Sequence, residues 1–358
     1  MLQKTIAYFD ELEISTLARI VMTSRTRHVA SVQIHRPTQQ LRCGLRLAAV
    51  FLLLLLGMDQ SAAADWKPLA DRLTADGFNR EAMESLLTHP DVLFEPDAMA
   101  GKLRTLIRSR SPEQDSLMAA LRRAYQRDYL QPLAVAQASA YVTENKAVLE
   151  EIAILYGVPN EIVVSILLIE TNLGKNTGQR RVFNRLASMA LANDLELVRP
   201  SLNADLLTPE NEEFARRRCR EKADWAYGEL KALINYAALN RIDPLSIRGS
   251  IYGAIGLCQF MPSNVFLYGV DADGDGRIDP FTKSDALHSI ANYLRGHGWR
   301  EGMDREGQHR IIFAYNNSTV YADTVLAIAE KIKEKDRRHP DILGDPLTRS
   351  TPPPIPPY

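Results

Sequence analysis

Glu170 is a carboxylate in a position that suits acid–base chemistry. It closes an apolar run that starts at Ile162, after Asn160 as a helix cap and Glu161 in the first turn. Such a helix is apolar on nearly every side and is therefore expected to be buried. Because desolvation and the negative end of the helix dipole both disfavour the anion, Glu170 is expected to hold its proton near neutral pH, as a general acid must. The alternative is a structural glutamate paired with a buried arginine.

A glycine-rich segment, 248–263, carries neutral hydrogen-bonding groups. Its glycines permit close backbone approach, while Ser250 and Gln259 can both donate and accept hydrogen bonds. This combination is suitable for holding a sugar.

An acidic loop follows at 271–279. Asp271, Asp273 and Asp275 alternate with small residues, and a glycine occupies the sixth position, as in the start of an EF-hand calcium loop. The backbone carbonyl of Arg277, at the seventh position, would be a further ligand. The twelfth position, where a standard loop has a bidentate glutamate, is Thr282. We expect a structural calcium ion here; a solvated acidic turn is the alternative.

Several segments after residue 65 have apolar residues at helical spacing, and extended alternating runs are nearly absent. These segments are 66–75, 113–130, 137–156, 161–170 and 223–239. The sequence predicts a mainly α-helical chain with a helical N-terminal region. The polar segment 191–220 is expected to be an insertion or a loop at the edge of a cleft. Its arginine run, 216–218, is interpreted as a solvated helix face, with a role in holding an acidic substrate as the alternative.

The N-terminal region carries an export signal. Arg42 and Arg46 precede a 12-residue apolar run, 47–58, and small residues follow it up to Ala64. The run is too short to span a bilayer, so we expect a Sec signal within 1–64 that is cleaved near Ala64, with an uncleaved anchor as the alternative. Cys43 precedes the run, which argues against a lipoprotein.

The remaining chain gives no sign of nucleic-acid binding. Beyond residue 64 there are 36 Lys and Arg against 40 Asp and Glu, a net charge of −4, whereas a phosphate-binding surface usually has a basic excess. Cys219 and Cys258 could pair in an oxidising compartment or remain free. The proline-rich end predicts a disordered tail over 339–358.

Five motifs occur along the chain in a characteristic order. They are Ile-Glu-Thr with a glycine four residues after the glutamate (169–174), Gly-Ser-x-x-Gly-Ala-x-Gly-x-x-Gln-Phe-Met-Pro-Ser (249–263), the acidic loop (271–279), Ala-Asn-Tyr-Leu followed by Gly-x-Gly-Trp (291–299), and Tyr-Asn-x-Ser-x-x-Tyr-Ala (315–322). With this set the chain resembles the B-type family of lytic transglycosylases, within the lysozyme-like superfamily. The resemblance covers roughly residues 120–335.

The resemblance implies a lysozyme-like α-helical catalytic domain, within 65–338, with an EF-hand-like calcium loop. It makes Glu170 the catalytic acid/base and Asp285 the closing calcium ligand. It also implies a set of substrate-binding residues around a sugar cleft, namely Ser250, Gln259, Tyr293, Tyr315, Asn316, Tyr321 and Tyr125. For each tyrosine the alternative is ordinary core packing.

The implied reaction uses one carboxylate. Glu170 would protonate the oxygen between N-acetylmuramic acid and N-acetylglucosamine, then accept the proton of the muramic C6 hydroxyl as a 1,6-anhydro ring closes, with no cofactor. The alternatives are a lysozyme-type hydrolase on the same fold and a non-enzymatic, calcium-stabilised wall-binding protein. The implied protein is a periplasmic monomer that binds peptidoglycan glycan strands, with other cell-wall enzymes as further expected partners.

The chain departs from its relatives at 221–225. They usually have Arg-Arg-Ala-Glu-Tyr, and this chain has Glu-Lys-Ala-Asp-Trp. Lys222 keeps one positive charge and is expected to contact substrate. Cys258 stands where relatives often have glycine. These changes leave the preference for the stem peptide open.

Overall fold

The computed structural model describes residues 64–110 and 114–338, so the expected export signal and the proline-rich tail lie outside the described residues. The described part contains thirteen α-helices and one two-stranded sheet, which confirms the prediction of a mainly α-helical chain. The elements are α1 (Lys67–Ala75), α2 (Arg80–Leu87), α3 (Asp97–Arg108), α4 (Gln114–Tyr129), α5 (Pro132–Glu144), α6 (Lys146–Tyr156), α7 (Asn160–Thr171), β1 (Arg180–Arg181), α8 (Val182–Leu191), α9 (Pro209–Asn240), β2 (Arg248–Gly249), α10 (Pro262–Tyr268), α11 (Lys283–Gly296), α12 (Arg305–Tyr315) and α13 (Thr319–Arg338).

The chain folds into two compact units. The larger unit contains the described residues 114–182 and 232–338, and the smaller unit contains 64–110 and 183–231. Helix α9 begins in the smaller unit and ends in the larger one. Glu170, the glycine-rich segment and the acidic loop all belong to the larger unit.

Helix α7 is the core helix of the larger unit. Residues 162–168 are all buried, because their side chains are apolar apart from Ser165, whose hydroxyl donates to the Glu161 carbonyl at 2.6 Å. The helix packs against α5, α6, α11 and α13. Helix α13 runs antiparallel to α7, since Tyr321 near its start bonds Glu170 and Lys333 near its end lies 2.6 Å from Glu161. The last helix of the domain therefore fixes both ends of α7.

The polar segment 191–220 is not a simple loop. It contains three 3₁₀ turns between residues 195 and 206, and α9 takes in everything from Pro209 onward. Proline at the first helical position, with Glu210 and Glu212 in the first turn, favours a helix start there. Arg216 pairs with Glu196 and Glu212, which agrees with the interpretation of the arginine run as a solvated helix face.

The short sheet and the glycines hold the glycine-rich segment against its neighbours. Strands β1 and β2 are antiparallel, with Arg180 opposite Gly249. A Cβ atom on Gly256 would lie 2.3 Å from the Pro280 carbonyl oxygen, and its φ of +73° also disfavours other residues. Only glycine fits at this position, where the segment meets the chain leading out of the acidic loop.

Cys219 and Cys258, the two described cysteines, are both buried and do not form a disulfide with each other, which answers the open question of their pairing. The Cys219 thiol donates to the Ala192 carbonyl at 3.0 Å, and burial raises its pKa to about 12. Among the described helices, none is both long and apolar enough to cross a membrane by itself; α6 and α7, bent by 112°, pass that test only as a pair.

Substituting Gly256 with alanine should destabilise the protein strongly. The new methyl group meets backbone rather than a movable side chain, and the positive φ adds strain, so we expect a loss on the order of 3 kcal/mol in the free energy of unfolding. Urea denaturation followed by circular dichroism measures it. Gly228→Ala is the matched control, because Gly228 lies within α9 with nothing near its missing Cβ, and it should gain about 0.5–1 kcal/mol. Equal effects for the two variants would contradict this account.

Candidate active site

Glu170 lies in the last turn of α7, half-buried, with a tyrosine hydroxyl bonded to it. The Tyr321 hydroxyl donates to Oε1 of Glu170 at 2.8 Å, and Tyr321 is only 1% exposed. Burial, the charge of Glu170 and this hydrogen bond raise the pKa of Tyr321 well above its usual value. Tyr321 therefore remains a donor throughout the neutral range. Its bond stabilises the ionised form of Glu170, whereas partial burial at the helix C-terminus favours the protonated form.

The backbone immediately after Glu170 turns through three left-handed residues. Asn172, Leu173 and Gly174 have φ values of 51°, 60° and 85°. This conformation is common for asparagine and glycine but unusual for leucine. Thr171 holds the turn in place, because its hydroxyl donates to the Leu257 carbonyl at 3.1 Å and accepts from the Gly174 N–H at 3.0 Å. The end of α7 is thus tied to the glycine-rich segment.

Ser250 and Gln259 brace the glycine-rich segment. The Ser250 hydroxyl accepts from the Ala254 N–H at 2.9 Å. Gln259, buried and with a φ of +50°, donates from its amide nitrogen to the carbonyls of Thr177 at 3.0 Å and Gly256 at 2.9 Å. Both amide hydrogens of Gln259 are therefore used within the protein, which leaves its carbonyl oxygen as the atom that can meet a ligand.

The tyrosine rings of the motifs 291–299 and 315–322 pack against one another. The rings of Tyr293 and Tyr315 are 4.8 Å apart, and those of Tyr315 and Tyr321 are nearly parallel at 6.4 Å. Tyr293 donates to the Ala314 carbonyl at 2.8 Å and Tyr315 to the Cys258 carbonyl at 2.6 Å. Burial raises the pKa of Tyr315 well above its usual value, and the charge of Glu170 contributes. Core packing describes these rings well, and it also places Tyr321 and Tyr315 near Glu170.

Asn316, directly after Tyr315, is 4% exposed, and its side-chain nitrogen has no hydrogen-bond partner among the described residues. Leaving a buried amide donor unsatisfied costs about 1–3 kcal/mol. A donor of this kind suits an oxygen atom of a bound ligand.

Two tyrosines of α4 belong to the surroundings of Glu170 and Tyr321. Tyr125 is 2% exposed and contributes to raising the pKa of Tyr321, so it belongs to the same environment. Its neighbour Tyr129, at a ring distance of 5.0 Å, donates from its hydroxyl to the Ile169 carbonyl at 3.3 Å. The sequence analysis missed Tyr129. The signal that could have found it is the i, i+4 spacing of two tyrosines, which puts both on one helix face.

Lys222 belongs to the smaller unit, on α9, whereas the other expected binding residues belong to the larger unit. Its ammonium lies 5.8 Å from the centre of the Trp225 ring. Burial lowers the pKa of Lys222. The structure therefore describes a partly desolvated cation beside an aromatic ring, in a unit other than that of Glu170.

The acidic loop gathers three carboxylates. Oxygen atoms of Asp271, Asp273 and Asp285 all lie within 4.8 Å of one another. Asp285, in the first turn of α11, is 1% exposed, and it accepts from the N–H groups of Ala272 at 2.9 Å and Asp279 at 2.8 Å. The all-oxygen donor set, with one buried carboxylate, fits a hard cation such as calcium.

Hydrogen bonds within the acidic loop hold its backbone. Asp271 accepts from the N–H groups of Gly274 and Gly276, both at 2.9 Å, and Asp275 accepts from the N–H of Arg277 at 2.8 Å. Thr282, at the twelfth position, bonds the Asp279 carbonyl and precedes α11. Asp285 is thus grouped with Asp271 and Asp273, while Asp275 is outside the three-carboxylate group.

Comparison with known proteins gives the family and the fold. The family model described as transglycosylase SLT domain matches residues 61–308, which is most of the chain. Membrane-bound lytic murein transglycosylase B of Escherichia coli (strain K12) is 32% identical over 178 residues, which are 50% of this chain and 42% of that relative. The chain thus spans less than half the length of this curated relative.

Solved structures share the architecture at low sequence identity. The Escherichia coli lytic transglycosylase SLT35 in complex with calcium is 21% identical with a TM-score of 0.58, over 77% of this chain and 95% of that one. SltB3 from Pseudomonas aeruginosa in complex with NAG-anhNAM-pentapeptide is 21% identical with a TM-score of 0.56, over 75% of this chain and 80% of that one. These likenesses establish the lysozyme-like fold.

Removing the Tyr321 hydroxyl should make Glu170 easier to protonate. The lost hydrogen bond stabilises only the ionised carboxylate, so in Tyr321→Phe the titration midpoint of Glu170 should move upward by about one pH unit or more. NMR titration of ¹³C-labelled glutamate carboxyls measures the midpoint. Tyr293→Phe is the control, because that hydroxyl bonds the Ala314 carbonyl instead. A midpoint that shifts equally in both variants, or in neither, would contradict the assigned role of Tyr321.

Proposed function

The chain belongs to the transglycosylase SLT-domain family, and from that membership we propose that it is a B-type lytic transglycosylase that cleaves the glycan strands of peptidoglycan. One observation in particular supports the proposal: Glu170 lies half-buried at the end of a core helix, bonded by the Tyr321 hydroxyl and close enough to Tyr315 to affect its pKa. A related structure, SltB3, is described in complex with a glycan fragment that carries a pentapeptide. The same class of substrate is therefore proposed here.

In the first step Glu170 acts as the general acid. It donates its proton to the oxygen that links N-acetylmuramic acid to N-acetylglucosamine, and the bond from that oxygen to the muramic C1 breaks. The N-acetylglucosamine side leaves as a neutral hydroxyl, and positive charge develops at C1. The new carboxylate of Glu170 is then stabilised by the Tyr321 hydroxyl, which already points at Oε1.

In the second step the same residue acts as the base. The C6 hydroxyl of the muramic acid attacks C1, and Glu170 takes its proton, so that the acid is regenerated. The product is a 1,6-anhydro ring, and water is not consumed. The reaction needs no second carboxylate, because the substrate supplies the nucleophile.

Asn316 is the residue we propose for orienting the muramic acetamido group. Its unpartnered side-chain N–H can donate to the acetamido oxygen, which removes the cost of leaving that donor buried and unsatisfied. Tyrosine rings suit the apolar faces of sugars. The Gln259 carbonyl oxygen can accept from a sugar hydroxyl, since its amide hydrogens are already bonded.

We further propose that the acidic loop binds one calcium ion. The three clustered carboxylates, Asp271, Asp273 and Asp285, would hold it. Asp275 and the backbone carbonyl of Arg277 would be further ligands by their positions in the EF-hand pattern. The ion would be structural. It would stiffen the loop whose end, at Pro280, accepts a hydrogen bond from the Leu257 N–H at 2.7 Å and so supports the glycine-rich segment.

The proposed location is the periplasm, reached through the signal within residues 1–64. A monomer is proposed, with peptidoglycan as the principal partner.

Replacing Glu170 with glutamine should abolish cleavage. Glutamine keeps the size of the side chain but can neither donate nor accept the required proton, so the release of fragments from purified sacculi should fall at least about a hundredfold. Chromatography of soluble muropeptides measures the rate. Glu161→Gln is the matched control, since Glu161 lies at the other end of α7 and pairs with Lys333, and it should stay within a few-fold of the wild type. Near wild-type activity of Glu170→Gln would contradict the assignment of Glu170 as the acid and base.

Chelation of calcium should lower the melting temperature more than the activity of protein that is still folded. An ion bound only by the native state stabilises it by mass action. Differential scanning calorimetry with EDTA, and again after excess calcium is restored, measures the effect. Asp285→Asn should melt at the same temperature with and without EDTA. If the wild type shows no response to EDTA, the loop does not hold calcium.

A further inference from the structure

A second cleft lies in the larger unit, away from the residues that hold Glu170. Its volume is about 370 Å³, within the range of about 300–1,000 Å³ that is usual for ligand pockets. We call it the arginine pocket. It is lined by the end of α9, the strand β2 region and the end of the acidic loop with the residues directly after it, and its lining residues include Tyr236, Asn240, Arg248, Arg277, Asp279 and Phe281.

The pocket is connected to the glycine-rich segment through the backbone. Arg248 stands two residues before Ser250, and its guanidinium donates a long bond, 3.5 Å, to the Gln179 carbonyl. Gln259 bonds the carbonyl of Thr177, two residues before Gln179. Asp279 and Phe281 flank the proline that bonds the Leu257 N–H. The arginine pocket and the glycine-rich segment therefore share the same backbone neighbours, 177–179 and Pro280.

The charge of the pocket favours an anion. Arg248 and Arg277 are both exposed and line the pocket, and neither belongs to an ion pair among the described residues. One oxygen of Asp279 is engaged by the Phe281 N–H at 2.9 Å. Among the lining residues, two guanidinium groups against one acid leave an excess of positive charge. A guanidinium group presents two parallel N–H donors, which match a planar carboxylate.

The other lining residues suit a peptide. Phe281 is 36% exposed and offers an aromatic face. Asn240 donates from its side-chain nitrogen to the Tyr236 carbonyl at 2.9 Å, so its side-chain oxygen is left as an acceptor for an N–H group. Apolar surface, an amide acceptor and two cations together are complementary to a short acidic peptide. They are poorly matched to a neutral sugar, which gives the arginines no counter-charge.

We propose that the arginine pocket binds a carboxylate of the peptide that is attached to the glycan strand, with Arg248 as a specificity-determining residue. The inference rests on the proposed function for its substrate. It also assigns peptide recognition to a definite place in the structure. This matters because the chain has Glu-Lys-Ala-Asp-Trp at 221–225, where its relatives usually have Arg-Arg-Ala-Glu-Tyr. The pocket would select strands that carry peptides over strands from which the peptides have been removed.

The test is a binding measurement that does not depend on cleavage. Isothermal titration calorimetry of the Glu170→Gln protein would use two probes, NAG-NAM-pentapeptide and the same disaccharide without its peptide. Adding Arg248→Ala should weaken binding of the pentapeptide probe about tenfold or more, because one charge-assisted hydrogen-bond donor is lost, and should leave binding of the plain disaccharide unchanged. Adding Arg248→Lys should restore part of the loss, since it keeps the charge but not the two-donor geometry.

Arg300→Ala is the matched control. Arg300 is an exposed arginine of the larger unit that does not line the pocket, so its removal should change neither affinity. Equal binding of the pentapeptide probe with and without Arg248, or no binding of that probe by the Glu170→Gln parent, would overturn the proposal. Failure of the wild type to cleave sacculi would instead reject the proposed function. The binding measurement would still show whether Arg248 recognises the peptide, because it does not depend on cleavage.

Discussion

The hydrogen bond from Tyr321 to Glu170 is the interaction on which the site depends. It joins the first turn of α13 to the last turn of α7, while the ion pair between Lys333 and Glu161 joins the opposite ends of the same two helices. The position of the Glu170 carboxylate is therefore coupled to the position of α13. The bond also sets an electrostatic balance, because it stabilises the anion while partial burial and the helix C-terminus disfavour it. In the proposed reaction one residue first gives and then takes a proton, so both protonation states of Glu170 must be accessible.

The backbone around Glu170 is held in conformations that side chains rarely adopt freely. Three consecutive left-handed residues follow Thr171, and Gln259 is left-handed as well. Strain of this kind persists only where the surroundings determine it. Here the Thr171 hydroxyl and the Gln259 amide hold the backbone in these conformations through hydrogen bonds to main-chain groups. These polar side chains therefore maintain the backbone conformation around Glu170, in addition to any contact that they make with a ligand.

Local features of the site could be predicted from the sequence. The burial of α7 follows from its apolar run, and the approach of Asp271 and Asp273 follows from their alternate spacing within one loop. Features that depend on distant segments could not be predicted. The bond of Tyr129 to the Ile169 carbonyl requires two helices to meet, and the arginine pocket is built from two stretches of chain, 236–248 and 277–281, that are distant in sequence. The start of α9 at Pro209 was not predicted, because this part of the helix is polar. Its side chains form ion pairs and show no apolar stripe at helical spacing.

The central claim is that the substrate's own hydroxyl, activated by Glu170, closes the ring in place of water. Digestion of purified sacculi in H₂¹⁸O, followed by mass spectrometry of the released muropeptides, tests it directly. The account predicts 1,6-anhydro ends that are lighter by one water than reducing ends and contain no ¹⁸O. Reducing N-acetylmuramic acid ends that carry ¹⁸O would show that water is the nucleophile, and they would contradict it.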